Sequence, residues 1–152
     1  MSLAGKLIAF VGKQSARRFD TATRDPLGTQ TELLLDMVRN NADTEYGRRY
    51  DFASIDSIAD YQKQVPVITY ADIERDMERV VAGEKNIFTA EDPVMFAQTS
   101  GTTGKPKFIP VTPTDQGRAH KDQMRTWLYH AQRAHPGILD YKVVSMVSPA
   151  VE

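Results

Sequence analysis

The chain has 152 residues, 41% of them hydrophobic and 26% charged, a balance that fits a folded domain and excludes a disordered tail. Nineteen Lys and Arg oppose twenty Asp and Glu for a formal net charge of -1, so composition offers neither the basic footprint of a nucleic-acid binder nor a polybasic attraction to anionic membranes. With no cysteine, disulfides, thiolate catalysis and cysteine-based zinc sites are excluded outright.

Residues 3–19 are expected to form an amphipathic helix, with Leu3, Leu7, Phe10 and Val11 on one face and Lys6, Lys13 and Arg17 on another. The Arg17-Arg18 pair near its end suits the negative end of the helix dipole. Asp25-Pro26 marks the next start, Asp25 as N-cap and Pro26 in the first helical position. Its expected buried stripe is Leu27, Thr31, Leu34, Leu35 and Val38, and Asn40-Asn41 is its stop. Residues 43–51 are polar and carry Gly47, which suggests loop with room for a helical turn.

A short helix over 57–64 must end before Pro66, because the residue preceding a proline is pushed out of the helical region. Thr69 and Asp72 have capping-box spacing, and Ile73, Met77, Val80 and Val81 follow as a buried stripe. Asp72/Arg75 and Asp76/Arg79 decorate the other face, expected to be solvated, with Gly83 as the C-terminal cap. Val94–Ala97 and Phe108–Val111 are two short apolar strands, the second carrying Pro110 and so an edge or a bulge. Thr112-Pro113-Thr114-Asp115 opens a helix whose face of Met124, Trp127, Leu128 and Ala131 is expected to be core, ended by His135-Pro136-Gly137. Val143, Val144, Met146 and Val147 suggest a last strand.

The three histidines stand ten and five residues apart, which places no pair on one helical turn and gives no His-pair metal site. No stretch approaches the ~20 apolar residues of a spanning helix. The opening apolar run lacks a small-residue cleavage site, so a cytoplasmic location is expected.

Between the two strands lies Gln98-Thr99-Ser100-Gly101-Thr102-Thr103-Gly104-Lys105-Pro106-Lys107. Gly101 and Gly104 let a ligand approach the main chain, and successive amides in such a turn form a concave anion nest. Ser100, Thr102 and Thr103 add hydroxyl donors, and Lys105 and Lys107 add positive charge. The same residues also suit a plain flexible hairpin turn. The spacing is not that of a Walker A loop: two residues rather than four separate the glycines, and proline follows Lys105. The dinucleotide-binding glycine pattern fails as well.

Residues 99–107, Thr-Ser-Gly-Thr-Thr-Gly-Lys-Pro-Lys, resemble position by position the phosphate-loop signature of adenylate-forming enzymes. The following Phe108-Ile109-Pro110-Val111-Thr112 is similar to the GH3 acyl-acid amido synthetases, as are Asn41 to Gly47, Tyr50-Asp51-Phe52, Val65-Pro66-Val67 with Tyr70 and Asp72, and Gly83-Glu84. The resemblance spans roughly residues 25–115, and only the loop is highly specific. It implies an α/β fold: a helical amino-terminal part over 1–92 leading, over 93–152, into the first strands of an adenylate-forming-enzyme large domain, incomplete as a domain. It implies a ligase that uses ATP, with magnesium on the nucleotide, to adenylate a carboxylic acid and pass the acyl group to an amine such as an amino acid. Thr99, Ser100, Gly101, Thr102, Thr103, Gly104 and Lys107 would bind the phosphates. The family's later motifs are expected beyond residue 152, so no catalytic residue is assigned and the 152 residues alone are expected to be inactive. A carboxylate–CoA ligase and a non-catalytic nucleotide- or partner-binding module are the alternatives.

Overall fold

The computed structural model describes residues 3–100, 106–140, 142 and 144. They divide into two compact units: one formed by the described residues within 1–24 and 118–152, the other by those within 25–117. No described helix is long and apolar enough to cross a membrane. The architecture is mostly helical, with one two-stranded antiparallel sheet.

In the first unit, helix α1 (Leu3–Ala22) packs along helix α7 (Gln123–Ala134). The face α1 buries is not the expected apolar one. Ser15 and Ala16 are buried, while Leu7 and Phe10 are exposed, Phe10 to 78%. Gly12 explains the choice: a Cβ there would stand 2.7 Å from the Arg125 carbonyl oxygen and 2.9 Å from Tyr129 Cβ. Small residues let the two backbones approach closely, and that geometry selects the small face over the greasy one. On α7 the buried positions are Thr126 and Gln132, whereas Met124 and Trp127 are exposed, Trp127 to 63%. The expected Met124–Trp127 core face is therefore corrected. Asp122 draws the helices together through polar contacts, accepting from Ser15 Oγ at 3.0 Å and pairing with Arg18 at 3.4 Å. Helix α1 also outruns its expected end at residue 19, because nothing breaks it before the Asp25-Pro26 start, so the arginine pair does not lie in its last turn.

The second unit opens with α2 (Pro26–Asn40), where the Asp25 carboxylate accepts from the Gly28 amide at 3.0 Å. Then come α3 (Glu45–Arg49), a 3-10 turn (Phe52–Ser54), α4 (Ile58–Gln64) and α5 (Tyr70–Val81). Val65, extended at φ -98 and ψ 112, ends α4 just before Pro66. The Asp72 carboxylate accepts from the Thr69 amide at 2.7 Å in the capping box that starts α5. Gly83, at φ +94, closes it: its amide reaches the Val80 carbonyl at 3.0 Å while Glu84 reaches Arg79 at 2.9 Å.

Two small cores hold this unit together. Val38, Phe52 and Ile55 are buried among Leu34, Leu35, Tyr46 and Tyr61. Met77, Val80 and Ile87 are buried against Tyr70, Phe88 and Phe96. Leu27 of the expected α2 stripe is exposed, as is Val81 of the α5 stripe.

The segment 41–47 shows why its residue types are needed. Thr44, fully buried, donates from Oγ1 to the Asn41 carbonyl at 2.7 Å and accepts the Gly47 amide at 2.9 Å as N-cap of α3. The remaining first-turn amides of Glu45 and Tyr46 are taken by the Asn86 and Ile87 carbonyls, each at 2.9 Å. Strands β1 (Met95–Gln98) and β2 (Phe108–Val111) pair Met95 with Val111 and Gln98 with Phe108. Phe96 and Phe108 meet edge to face at 6.3 Å, and Phe96 seats the hairpin on the α5 core. Helix α6 (Pro113–Asp115) follows, and a π-helical segment (Gln116–Asp122) leads to α7. The strand expected from Val143 onward lies outside the described residues except for Val144, which is in no regular structure.

Candidate functional site

The hairpin ladder does not stop at the strand ends. The Thr99 amide donates to the Lys107 carbonyl at 3.0 Å, and the Lys107 amide donates back to Thr99 Oγ1 at 3.0 Å. Thr99 and Lys107 thus fasten the root of the loop from both sides. Of the seven residues expected to bind phosphate, Thr99, Ser100 and Lys107 are described, all exposed; Gly101, Thr102, Thr103 and Gly104 lie outside the described residues. The structure brings Thr99 and Lys107 together and leaves Ser100 open to solvent one residue beyond them.

Two residues without a sequence-level role sit around this root. The Tyr70 hydroxyl, from the first position of α5, accepts the Phe108 amide at 3.2 Å, and its ring lies 5.4 Å beneath the Lys107 ammonium. Glu91 accepts the Thr114 amide at 3.0 Å and so anchors the chain just after β2. Neither follows from a motif rule, since each pairs residues more than twenty positions apart. Beside the root, Tyr70, Glu74, Met77 and Glu78 of α5 and Pro106 and Phe108 of the hairpin line a cleft of about 220 Å³. Among the described residues Lys107 forms no ion pair with a carboxylate, and its ammonium rests on the Tyr70 ring. That donor set, a hydroxyl and an unpaired ammonium at the mouth of a glycine-rich loop, suits phosphate.

The acidic and basic residues of α5 do more than face solvent. Arg79 pairs with Glu45 at 2.8 Å and with Asp76 at 3.0 Å, and it also pairs with Glu84; Arg49 completes the network on Asp76 at 2.9 Å. The hydrogen bonds from Arg79 hold the Glu45 and Glu84 carboxyls below their ordinary range, and the Thr69 amide does the same for Asp72. This network fastens α3 to α5, the helix on which the hairpin stands. Among the described residues no three His, Asp or Glu side chains converge as a metal site.

Comparison with known proteins supplies the wider frame. The sequence profile described as "GH3 family N-terminal domain" matches residues 15–149. Over 99 residues, 64% of this chain, it is 30% identical to "Probable indole-3-acetic acid-amido synthetase GH3.1" of Arabidopsis thaliana, covering 17% of that protein. Over 100 residues, also 64% of this chain, it is 31% identical to "Jasmonoyl--L-amino acid synthetase GH3.5" of Oryza sativa subsp. japonica, again covering 17%. A third, "Probable indole-3-acetic acid-amido synthetase GH3.12" of the same rice, is 34% identical over 91 residues, 59% of this chain and 15% of its own length. The chain therefore spans about a sixth of the relatives it matches.

Proposed function

The chain belongs to the GH3 family, and on that premise we propose that it supplies the phosphate-binding loop of an ATP-dependent ligase joining a carboxylic acid to an amine such as an amino acid. The relatives' names as amido and amino-acid synthetases support the reaction class. The observation that supports the loop assignment is the doubly fastened Thr99–Lys107 root, which brings together the two ends of the Ser/Thr/Gly motif and sets the Lys107 ammonium beside them on the Tyr70 ring.

In the first step the acid's carboxylate oxygen bonds to the α-phosphorus of ATP. The bond from that phosphorus to the β-bridging oxygen breaks, and pyrophosphate leaves. The amides and hydroxyls of residues 99–104, with Lys107, would hold the departing phosphates and stabilise the charge that develops on them. In the second step the amine nitrogen bonds to the acyl carbon, AMP leaves with the carbon–oxygen bond's electrons, and the amine gives up a proton. Magnesium would come with the nucleotide, held by the phosphates themselves.

The test is carried out on the full-length gene product, given ATP, magnesium and a panel of carboxylic acids, with pyrophosphate exchange as the readout. Amino acids or CoA are then added separately to identify the acceptor. Exchange that depends on an acid, followed by amide formation, is expected. A protein indifferent to ATP under every acid overturns the assignment, and thioester formation moves it to the CoA ligases.

A further inference from the structure

We propose that Tyr70 is a positioning residue for the phosphate-binding loop, acting through Lys107. The inference rests on the reading of that loop given above and assigns a role to a residue outside it.

Tyr70 is the first residue of α5, 29 positions before the loop's Thr99 in the sequence. Its start is fixed by the capping box at Thr69 and Asp72, and its ring packs against the buried Met77, Val80 and Ile87 cluster. A side chain anchored at both ends in this way makes a rigid post. It meets the hairpin root by two unlike contacts. The hydroxyl accepts the Phe108 amide at 3.2 Å, which pins the backbone directly after Lys107. The ring face carries the Lys107 ammonium at 5.4 Å from its centroid. A lysine's four-carbon stem is otherwise mobile, and ordering it on binding costs side-chain entropy. Because the ring attracts the ammonium without neutralising it, the charge is gathered at the loop root yet remains unpaired for an anion. A carboxylate in the same place would hold Lys107 more firmly and cancel the charge the phosphates need.

The two contacts separate by substitution. Tyr70→Phe keeps the ring and removes the hydroxyl; Tyr70→Leu removes both. The full-length gene product is titrated with MgATP and with magnesium pyrophosphate by calorimetry, in the native and the Lys107→Met background. Lys107→Met is expected to weaken binding by about tenfold, as for a lost charge-assisted contact. Tyr70→Phe is expected to weaken it by about threefold, and Tyr70→Leu by about threefold more, the ring's share. In the Lys107→Met background the Phe and Leu variants should bind alike, because the ring no longer has a cation to hold.

Absence of MgATP binding in the unsubstituted protein would overturn the loop reading and this inference with it. Binding that falls with Lys107→Met but not with either Tyr70 variant overturns the inference alone. So does a Phe-to-Leu difference that persists without Lys107, since it would mark Tyr70 as a packing residue only. Binding unaffected by Lys107→Met also removes the inference while leaving the loop's amides and hydroxyls in place.

Discussion

Gly47 passes so close beneath Asn41 that a Cβ on it would stand 2.1 Å from the Asn41 carbonyl oxygen and 2.7 Å from that of Ala42. The contact is backbone on backbone, so no side chain can swing aside. Gly47→Ala must therefore push α3 away from the end of α2, and a loss of about 3 kcal/mol is expected, at the upper end for overpacking. Urea denaturation checks it. Gly117→Ala, in the helical segment before α7 where an added Cβ meets nothing within 4 Å, is the control and should not lower the midpoint.

The Arg79 network predicts the acid limb of the stability curve. Glu45 and Glu84 are held below their ordinary value of 4.5 by hydrogen bonds from Arg79. Groups with lowered folded-state values contribute stability that is complete above about pH 4.5 and is lost as pH falls through those lower values. The urea midpoint should thus be flat from neutrality to about pH 5 and fall below it. Arg79→Met should lower the neutral plateau and flatten the fall. The side chains are partly exposed, so raising salt should shrink both effects.

Gln132 is 4% exposed, and neither its amide oxygen nor its amide nitrogen finds a hydrogen-bond partner among the described residues. A buried amide in this state costs desolvation without return. Gln132→Met, similar in length and apolar, should stabilise the α1–α7 unit by about 1 kcal/mol. A shift of the thermal midpoint downward would show that the amide is satisfied in solution.

Thr99→Val keeps the shape of the side chain and removes the oxygen that accepts the Lys107 amide. Hydrogen exchange at the Lys107 amide should accelerate by about fivefold, the equivalent of one net hydrogen bond. The rest of the ladder, from the Val94 amide that donates to the Val111 carbonyl onward, should keep its protection. Thr99→Ser, which retains the oxygen, should exchange nearly as the native chain does.

Local signals in the sequence were good guides because their causes are local. Asp25, Ser57 and Thr112 start helices by accepting from amides three residues on, Thr69 starts one by donating to the Asp72 carboxylate, and Gly83 ends one through its own backbone angle. The two short strands on either side of the loop were legible for the same reason, while their antiparallel pairing was supplied by the structure. What failed was the choice of buried face on α1 and α7. A hydrophobic-stripe rule assumes that the greasiest side packs, whereas here backbone proximity at Gly12 selects Ser15, Ala16, Thr126 and Gln132. The Tyr70–Lys107 and Glu91–Thr114 contacts were illegible because only the folded chain brings such distant positions together. The described residues show a mostly helical chain with one two-stranded sheet and do not show the expected adenylate-forming large domain.

The outward placement of Trp127 has a spectroscopic consequence. It is the chain's single tryptophan, and its indole already meets water in the folded chain. Its emission should lie toward the red and change little on unfolding, so tyrosine signals or circular dichroism must report the melting of this protein. The same indole then becomes a quiet background against which any surface that settles over α7 would announce itself as a blue shift.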